Sequence, residues 1–143
     1  MTKTPYVGEA RIRVRYAETD QMRVVYHSNY VIWFEVGRVE LLRQIGFTYK
    51  EMEAEDHCHI AVVDLKVRYK APALYDDELI IRTHLKNVRS WMLHFGYEVV
   101  RASDGSVLAE GETTHIVVGD DLQRKNLPEK YLVPFRAAVV ASL

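Results

Sequence analysis

The feature that most constrains the fold is a helical segment that is apolar on nearly every side. It follows a polar loop and ends at Gly46, a residue type that readily adopts the left-handed conformation after a helix C-terminus. Its polar edge is thin, and its apolar residues cover most of the circumference: Tyr30, Val31, Ile32, Trp33, Phe34, Val36, Val39, Leu41, Leu42 and Ile45. A helix of this type is buried rather than laid on a surface. We therefore expect the rest of the chain to wrap around it.

The length and charge of the chain limit the classes of protein to which it can belong. With 143 residues, it has a size typical of one domain. We expect a single domain over residues 1–143, in which about 122–143 form a loose C-terminal extension that ends in a short helix. Nineteen basic and twenty acidic residues give a net charge of −1, which argues against nucleic-acid binding.

The cysteine content and the hydropathy of the chain predict its location. The single cysteine, Cys58, excludes an internal disulfide framework and is typical of a reducing compartment. The sequence contains neither a signal-peptide core nor an apolar run long enough to cross a bilayer. We expect a cytoplasmic protein with no membrane insertion.

Outside the long helix, most of the sequence alternates between apolar and polar residues, which is the period of β-strands. A capping box at Thr48 and Glu51 predicts a short second helix that extends to about Glu55. Five strands are predicted: Glu9–Tyr16, His57–Lys70, Glu78–Arg89, Trp91–Arg101 and Val107–Val118. Consecutive long strands favour an antiparallel sheet, so the fold class is α+β. The first half of the strand His57–Lys70 is apolar on both faces, which suggests that a second subunit covers it.

An acidic residue before the long helix is the first candidate for chemistry. Asp20 lies a few residues ahead of the helix start, where Ser28 or Asn29 is expected to cap the first turn. An aspartate in a polar loop commonly has only a structural role. However, a carboxylate close to free helix N–H groups is suited to acyl transfer. A thioester is favoured over an amide, because a thiol with a pKa near 8.5 leaves without a strong general acid.

Three strings of the sequence together resemble one protein family. YAETDQMRVVYHSNY, WFEVGR and VRYKAPA are similar to the hotdog-fold acyl-CoA thioesterases of the 4-hydroxybenzoyl-CoA thioesterase type, over roughly Ala10 to Pro128. The resemblance implies a five-stranded antiparallel sheet wrapped around one long central helix. It also implies that two such units pair into a continuous sheet, in a homodimer or homotetramer. The expected activity is hydrolysis of an acyl thioester of coenzyme A or of acyl carrier protein, with no cofactor and no metal.

The resemblance also implies roles for individual residues. Asp20 is the expected catalytic carboxylate, acting as general base or nucleophile. A backbone N–H near His27 is expected to polarise the thioester carbonyl, while Tyr26 and His27 line the site. Arg89 and Ser90 lie in the region that binds the nucleotide of coenzyme A in this family.

The long helix supplies further candidates. Tyr30, Trp33 and Phe34 are expected to shape an acyl pocket at a subunit interface, and its apolar lining suggests an aliphatic or aromatic acyl group. Glu35 is a reserve catalytic residue, because another branch of the superfamily places its acid on this helix. Its default role is an ion pair with Arg38, three residues further along.

One residue departs from the pattern of the family. Arg23 occupies a position at which glycine is usual, so we expect either the loop path or the acyl pocket to differ. Arg23 could also contact a carboxylate or phosphate of the substrate.

Two other activities remain open at this point. A hotdog hydratase or dehydratase would need a histidine–acid pair facing the substrate, and a non-catalytic acyl-thioester-binding module would need no catalytic group. His57 and His59 share one face of a strand but have no obvious third ligand, so no metal site is predicted.

Overall fold

The computed structural model describes residues 7–139, which form one five-stranded antiparallel sheet and three α-helices. The spatial order of the strands is β1-β3-β4-β5-β2. Their bounds are Val7–Arg13 (β1), His59–Tyr69 (β2), Glu78–Arg89 (β3), Met92–Arg101 (β4) and Val107–Val118 (β5). The predicted α+β hotdog architecture is thus confirmed. The first predicted strand is too long at its C-terminal end, because Tyr16–Glu18 form a single 3₁₀ turn.

The long helix, α1, spans Asn29–Ile45 and packs against β1, β3 and β4. Phe34 is fully buried and its ring stacks on Tyr97, with 4.4 Å between centroids. Gly111 makes room for this pair, since a Cβ there would lie 2.4 Å from the Phe34 ring. The expectation of burial on nearly all sides is wrong for one stripe: Ile32 and Val36 are 55% and 39% exposed.

Strand β2 lies at one edge of the sheet and pairs only with β5. Several of its apolar side chains face solvent: Val62, Val63, Leu65 and Tyr69 are between 42% and 55% exposed. The register shifts between Val62 and Asp64, which marks a β-bulge. Among residues 7–139, therefore, these four side chains remain uncovered, including two in the first half of the strand, which the sequence predicts to be covered on both faces.

The two short helices close the ends of the core. Helix α2 spans Tyr49–Asp56, and the predicted cap is present, since the Glu51 N–H donates to the Thr48 hydroxyl at 3.2 Å. Helix α3 spans Glu129–Ala137, so the predicted short helix exists. The segment that contains it is not loose, because Tyr131 and Phe135 are buried against Phe47.

The carboxylate of Asp56, at the end of α2, binds two residues of α3. Asp56 accepts a hydrogen bond from the Tyr131 hydroxyl and lies 2.9 Å from the Lys130 ammonium. Residues 140–143 of the predicted extension lie outside the described residues. Among residues 7–139, no helix is long and apolar enough to cross a membrane.

Candidate active site

Asp20 lies in a tight turn that is tied to the rest of the fold. Its N–H donates to the Val24 carbonyl, and the Arg23 N–H donates to the Asp20 carbonyl, both at 2.9 Å. The Val25 N–H donates to the carbonyl of Ala73, in the segment that follows β2, also at 2.9 Å. These bonds hold the turn in one position relative to the sheet.

The Asp20 side chain is partly exposed. One of its oxygens accepts the Met22 N–H at 2.8 Å, which is an Asx turn. A carboxylate has about four acceptor positions, so this bond leaves most of them available. Asp20 therefore has both a fixed orientation and access to a ligand.

The buried acid of the loop is Glu18, which is 6% exposed. Its carboxylate accepts hydrogen bonds from the indole N–H of Trp33 at 3.2 Å and from the Arg15 N–H at 2.8 Å. Its carbonyl accepts the Tyr26 N–H at 2.8 Å. Glu18 thus joins both ends of the loop to α1. In the sequence it is only one of several polar residues, and no local pattern singles it out.

The first turn of α1 has no side-chain cap, so the predicted cap by Ser28 or Asn29 is wrong. Ser28 has helical backbone angles, whereas a capping residue is typically extended. The Asn29 amide donates instead to the carbonyls of Glu18 and Tyr26, at 3.0 and 3.3 Å. Within residues 7–139, the backbone N–H groups of His27 and Ser28 have no acceptor. These donors lie at the N-terminal end of α1, which attracts negative charge.

Aromatic residues surround the start of α1. The rings of Tyr26 and His27 lie 4.4 Å apart, and both residues are exposed. Tyr69 of β2 donates its hydroxyl hydrogen to the His27 carbonyl at 3.0 Å and meets the Tyr30 ring edge-on at 5.1 Å. The candidate site is therefore bordered by the exposed edge strand.

Tyr30 and Trp33 lie behind this surface and are each 2% exposed. The Tyr30 hydroxyl accepts the Ala73 N–H at 3.1 Å, and burial raises the pKa of this phenol. Their rings are 4.9 Å apart. In one chain these two residues, like Phe34, support the site from within the core rather than line an open pocket.

The reserve catalyst lies elsewhere on α1. Glu35 is exposed, and the ion pair expected between Glu35 and Arg38 is not formed. Arg38 is 9% exposed and instead donates to the hydroxyls of Tyr49 and Tyr97, at 3.3 and 3.2 Å. The two tyrosine hydroxyls accept hydrogen bonds from this buried guanidinium, so it needs no carboxylate partner.

Arg89 and Ser90 lie far from Asp20 in the same chain. The turn that carries Asp20 is bonded to the segment before β3, whereas Arg89 is the last residue of β3. A strand of 12 residues at about 3.3 Å per residue is about 35 Å long. The structure does not bring the predicted nucleotide-binding residues and the predicted catalytic acid together within one chain.

His57 and His59 do meet a third polar residue. Asp120 lies 2.7 Å from one ring nitrogen of each histidine. Its hydrogen bond with His59 raises the pKa of that imidazole and lowers the pKa of the Asp120 carboxyl. Among residues 7–139, no cluster of His, Cys, Asp and Glu has the geometry of a metal site.

Comparison with known proteins places the chain in a family. Residues 14–140 match the family model described as Thioesterase-like superfamily. The acyl-CoA thioester hydrolase YbgC of Escherichia coli O6:H1 is 35% identical over 127 residues, which cover 87% of this chain and 92% of that protein.

Two solved structures with substantial sequence identity have the same fold. The hypothetical protein TT1821 from Thermus thermophilus superposes with a TM-score of 0.87 at 36% identity, covering 94% of this chain and 99% of that one. The DHNA-CoA thioesterase from Staphylococcus aureus gives 0.83 at 31% identity, covering 92% and 87%. The family and the enzyme class predicted from the sequence, thioester hydrolase, are confirmed. The chain belongs to the Thioesterase-like superfamily.

Proposed function

We propose that the protein hydrolyses an acyl-CoA thioester to the free acid and coenzyme A, with Asp20 as the catalytic carboxylate. The observation that carries this proposal is the pairing of an accessible carboxylate with unpaired helix N–H groups. Val24 lies opposite Asp20 in the turn, and His27 follows three residues later, at most about 10 Å along the chain at 3.3 Å per residue. A carbonyl oxygen held by the helix N–H groups keeps its reacting carbon about 1.2 Å away, where the Asp20 carboxylate would act on it directly or through a bridging water.

The proposed chemistry needs only these groups and water. Asp20 either removes a proton from water as the water attacks the carbonyl carbon, or attacks that carbon itself to form an anhydride that water then cleaves. The N–H groups of His27 and Ser28 stabilise the oxyanion, a contribution of about 3 kcal/mol per donor. Coenzyme A leaves as a thiolate, so no strong general acid and no cofactor are required.

We propose further that the working unit is at least a dimer joined through β2. Within residues 7–139, the outer edge of β2 pairs with no other strand, so it offers backbone N–H and C=O groups beside exposed Val63 and Leu65. A long apolar edge of this kind favours pairing with another strand. The exposed Ile32 and Val36 of α1 offer additional apolar surface to such a partner.

A dimer of this type would also explain the separation of Arg89 from Asp20. Strand β2 begins near the end of β5 and ends at Tyr69, beside the helix start. In an antiparallel pair of β2 strands, the start of one strand lies beside the end of the other. The end of the partner's sheet at which its β2 begins would therefore lie near this chain's Asp20. Arg89 and Ser90 of the partner subunit would then bind the phosphates of coenzyme A, for which arginine is well suited. A homotetramer would add contacts without changing this site.

The rival reactions have less support. A hydratase or dehydratase needs a histidine–acid pair at the substrate, but among residues 7–139 the His27 ring contacts only aromatic rings. The histidines that do contact acids, such as His94 with Glu112, lie on other parts of the sheet. The single free cysteine, Cys58, agrees with the expected cytoplasmic location, because thiols stay reduced there.

Thiol release from a panel of acyl-CoAs tests the proposed reaction and its substrate class. The panel contains short, long and aromatic acyl groups, because one relative is named an acyl-CoA thioester hydrolase and a similar structure is that of a DHNA-CoA thioesterase. We expect turnover of at least one of them. If none is hydrolysed, the same acyl groups on acyl carrier protein are the remaining substrates. Binding without turnover on either carrier would favour the non-catalytic module.

A further inference from the structure

Arg23 adopts a backbone conformation that disfavours its own residue type. Its φ is 66°, in the left-handed region, where the Cβ of any residue except glycine is crowded by the backbone. The turn imposes this conformation, because the Arg23 N–H bonds back to the Asp20 carbonyl at 2.9 Å. Glycine would fit this position without that cost. An arginine held in this conformation points to a use for its side chain.

The guanidinium of Arg23 is unpaired, unlike its neighbours along the chain. Arg11, Arg13 and Arg15 lie 3.4, 3.9 and 3.4 Å from the carboxylates of Glu78, Asp76 and Glu18, respectively. Arg23 is exposed, and within residues 7–139 its side chain makes no hydrogen bond or ion pair. Of these four arginines, Arg23 is the closest in sequence to Asp20 and is the only one without a carboxylate partner among residues 7–139.

The rigid turn fixes where this cation can act. Arg23 is three residues from Asp20 and is bonded to it through the backbone, so both side chains start from the same turn and the guanidinium can reach the surroundings of that carboxylate. A guanidinium binds planar anionic groups through two parallel hydrogen bonds. An anion held there would belong to the same molecule as the carbonyl that Asp20 attacks.

We infer that Arg23 is a substrate-binding residue that recognises an anionic oxygen group of the bound thioester. The group is a carboxylate on the acyl part, because the pantetheine arm of the carrier holds its phosphates far from the thioester carbonyl. This inference rests on the proposed thioesterase function, because it takes Asp20 as the position of the reacting carbonyl.

Matched substrates and two variants test the inference. Arg23→Gln removes the charge but keeps a side chain, and Arg23→Gly also relieves the backbone. Each neutral acyl-CoA is compared with a carboxylate-bearing one of similar size, butyryl with succinyl and toluoyl with carboxybenzoyl. Butyryl-pantetheine, which lacks the phosphates, is compared with butyryl-CoA. Arg136→Gln, which removes an exposed cation of α3, is the matched control.

The expected result is a loss of at least about tenfold in kcat/KM for both Arg23 variants on the succinyl and carboxybenzoyl thioesters, with the butyryl and toluoyl thioesters unchanged. A loss on butyryl-CoA without a loss on butyryl-pantetheine would place the contact at a phosphate and overturn the inference. Equal losses on every substrate, or none on any, would also overturn it.

Binding measurements keep this test independent of turnover. Calorimetry of the same thioesters is done with Asp20→Asn and with Asp20→Asn/Arg23→Gln, neither of which needs to hydrolyse them. We expect the second variant to bind the anionic class at least about tenfold more weakly. If the wild-type protein binds the thioesters but releases no thiol, the proposed function is contradicted. The comparison of affinities between the two variants still tests the role of Arg23. Indistinguishable affinities of the two variants overturn the role of Arg23.

Discussion

The hydroxyl of Tyr69 donates a hydrogen bond to the backbone carbonyl of His27 at 3.0 Å. This bond joins the last residue of the edge strand β2 to the turn that opens α1. The His27 N–H, on the other side of the same residue, is one of the two donors proposed for the oxyanion. The edge of the sheet and the proposed oxyanion-binding end of the helix are therefore joined through one side chain.

Removing this bond should affect turnover more than folding. For Tyr69→Phe we expect a several-fold fall in kcat, because the helix start is positioned less firmly. The free energy of unfolding should fall by about 1 kcal/mol or less, since one partly exposed hydrogen bond is lost. Steady-state kinetics and urea unfolding measure the two effects. Tyr75→Phe is the control, because Tyr75 is exposed and its ring contacts the ring of Tyr16, while among residues 7–139 its hydroxyl makes no hydrogen bond.

The exposed edge of β2 should be the subunit interface. We expect Val63→Lys to convert the dimer into a monomer, because it places a charge on the strand that pairs with its copy. Light scattering measures the mass, and thiol release should fall together with it. Val133→Lys makes the same change at an exposed position on α3 and should leave both unchanged. A Val63→Lys protein that remains oligomeric and active would place the interface elsewhere.

Mixing two impaired variants tests whether the site is shared between subunits. If Arg89 acts across the interface, Asp20→Asn and Arg89→Ala disable different halves of each site. A heterodimer of the two then contains one site with both residues intact. After exchange in an equal mixture, about a quarter of all sites should recover wild-type kcat/KM. An activity equal to the mean of the separate variants would mean that Arg89 serves its own chain or none.

Acid should destabilise the fold partly through His84. Burial lowers the pKa of this imidazole to about 4, assisted by the Lys86 ammonium and opposed by Glu112, while His94 and Arg82 also lower it. The folded pKa lies below the ordinary 6.5, so the stability contributed by neutral His84 is complete above pH 6.5 and is lost as the pH falls towards 4.

The His84→Gln variant should show a correspondingly weaker pH dependence. Between pH 6.5 and 4, the wild type should lose on the order of 3 kcal/mol more unfolding free energy than the variant. Urea unfolding across this range gives the difference directly. Parallel stability curves for the two proteins would contradict the assigned cause.

Features specified by neighbouring residues were predictable from the sequence. The Thr48–Glu51 cap and the helix end at Gly46 depend on residues within one turn, and both are present. The bounds of β3 and β5 were also correct, because clear turns flank both strands. The position of Asp20, before a helix with free N–H groups, was predictable for the same reason, because it depends on residues that are close in sequence.

Features specified by distant residues were not predictable. The failure of Ser28 and Asn29 to cap α1 depends on Glu18 and Tyr26, whose carbonyls take the Asn29 amide. The apolar pattern of the helix predicted that Phe34 is buried, but it could not show that the ring stacks on Tyr97. The pairing of Arg38 with two tyrosines instead of Glu35 has the same origin, since those phenols come from α2 and β4.

The role of Asp20 is tested most directly by thiol release from the preferred acyl-CoA, with wild type, Asp20→Asn and Glu35→Gln measured side by side. Asparagine keeps an oxygen that can accept the Met22 N–H, so the turn should persist while the negative charge is lost. We predict that Asp20→Asn lowers kcat by about a hundredfold or more and still binds the substrate, whereas Glu35→Gln matches the wild type. Wild-type turnover by Asp20→Asn, or its collapse in Glu35→Gln alone, would show that Asp20 is not the catalytic acid.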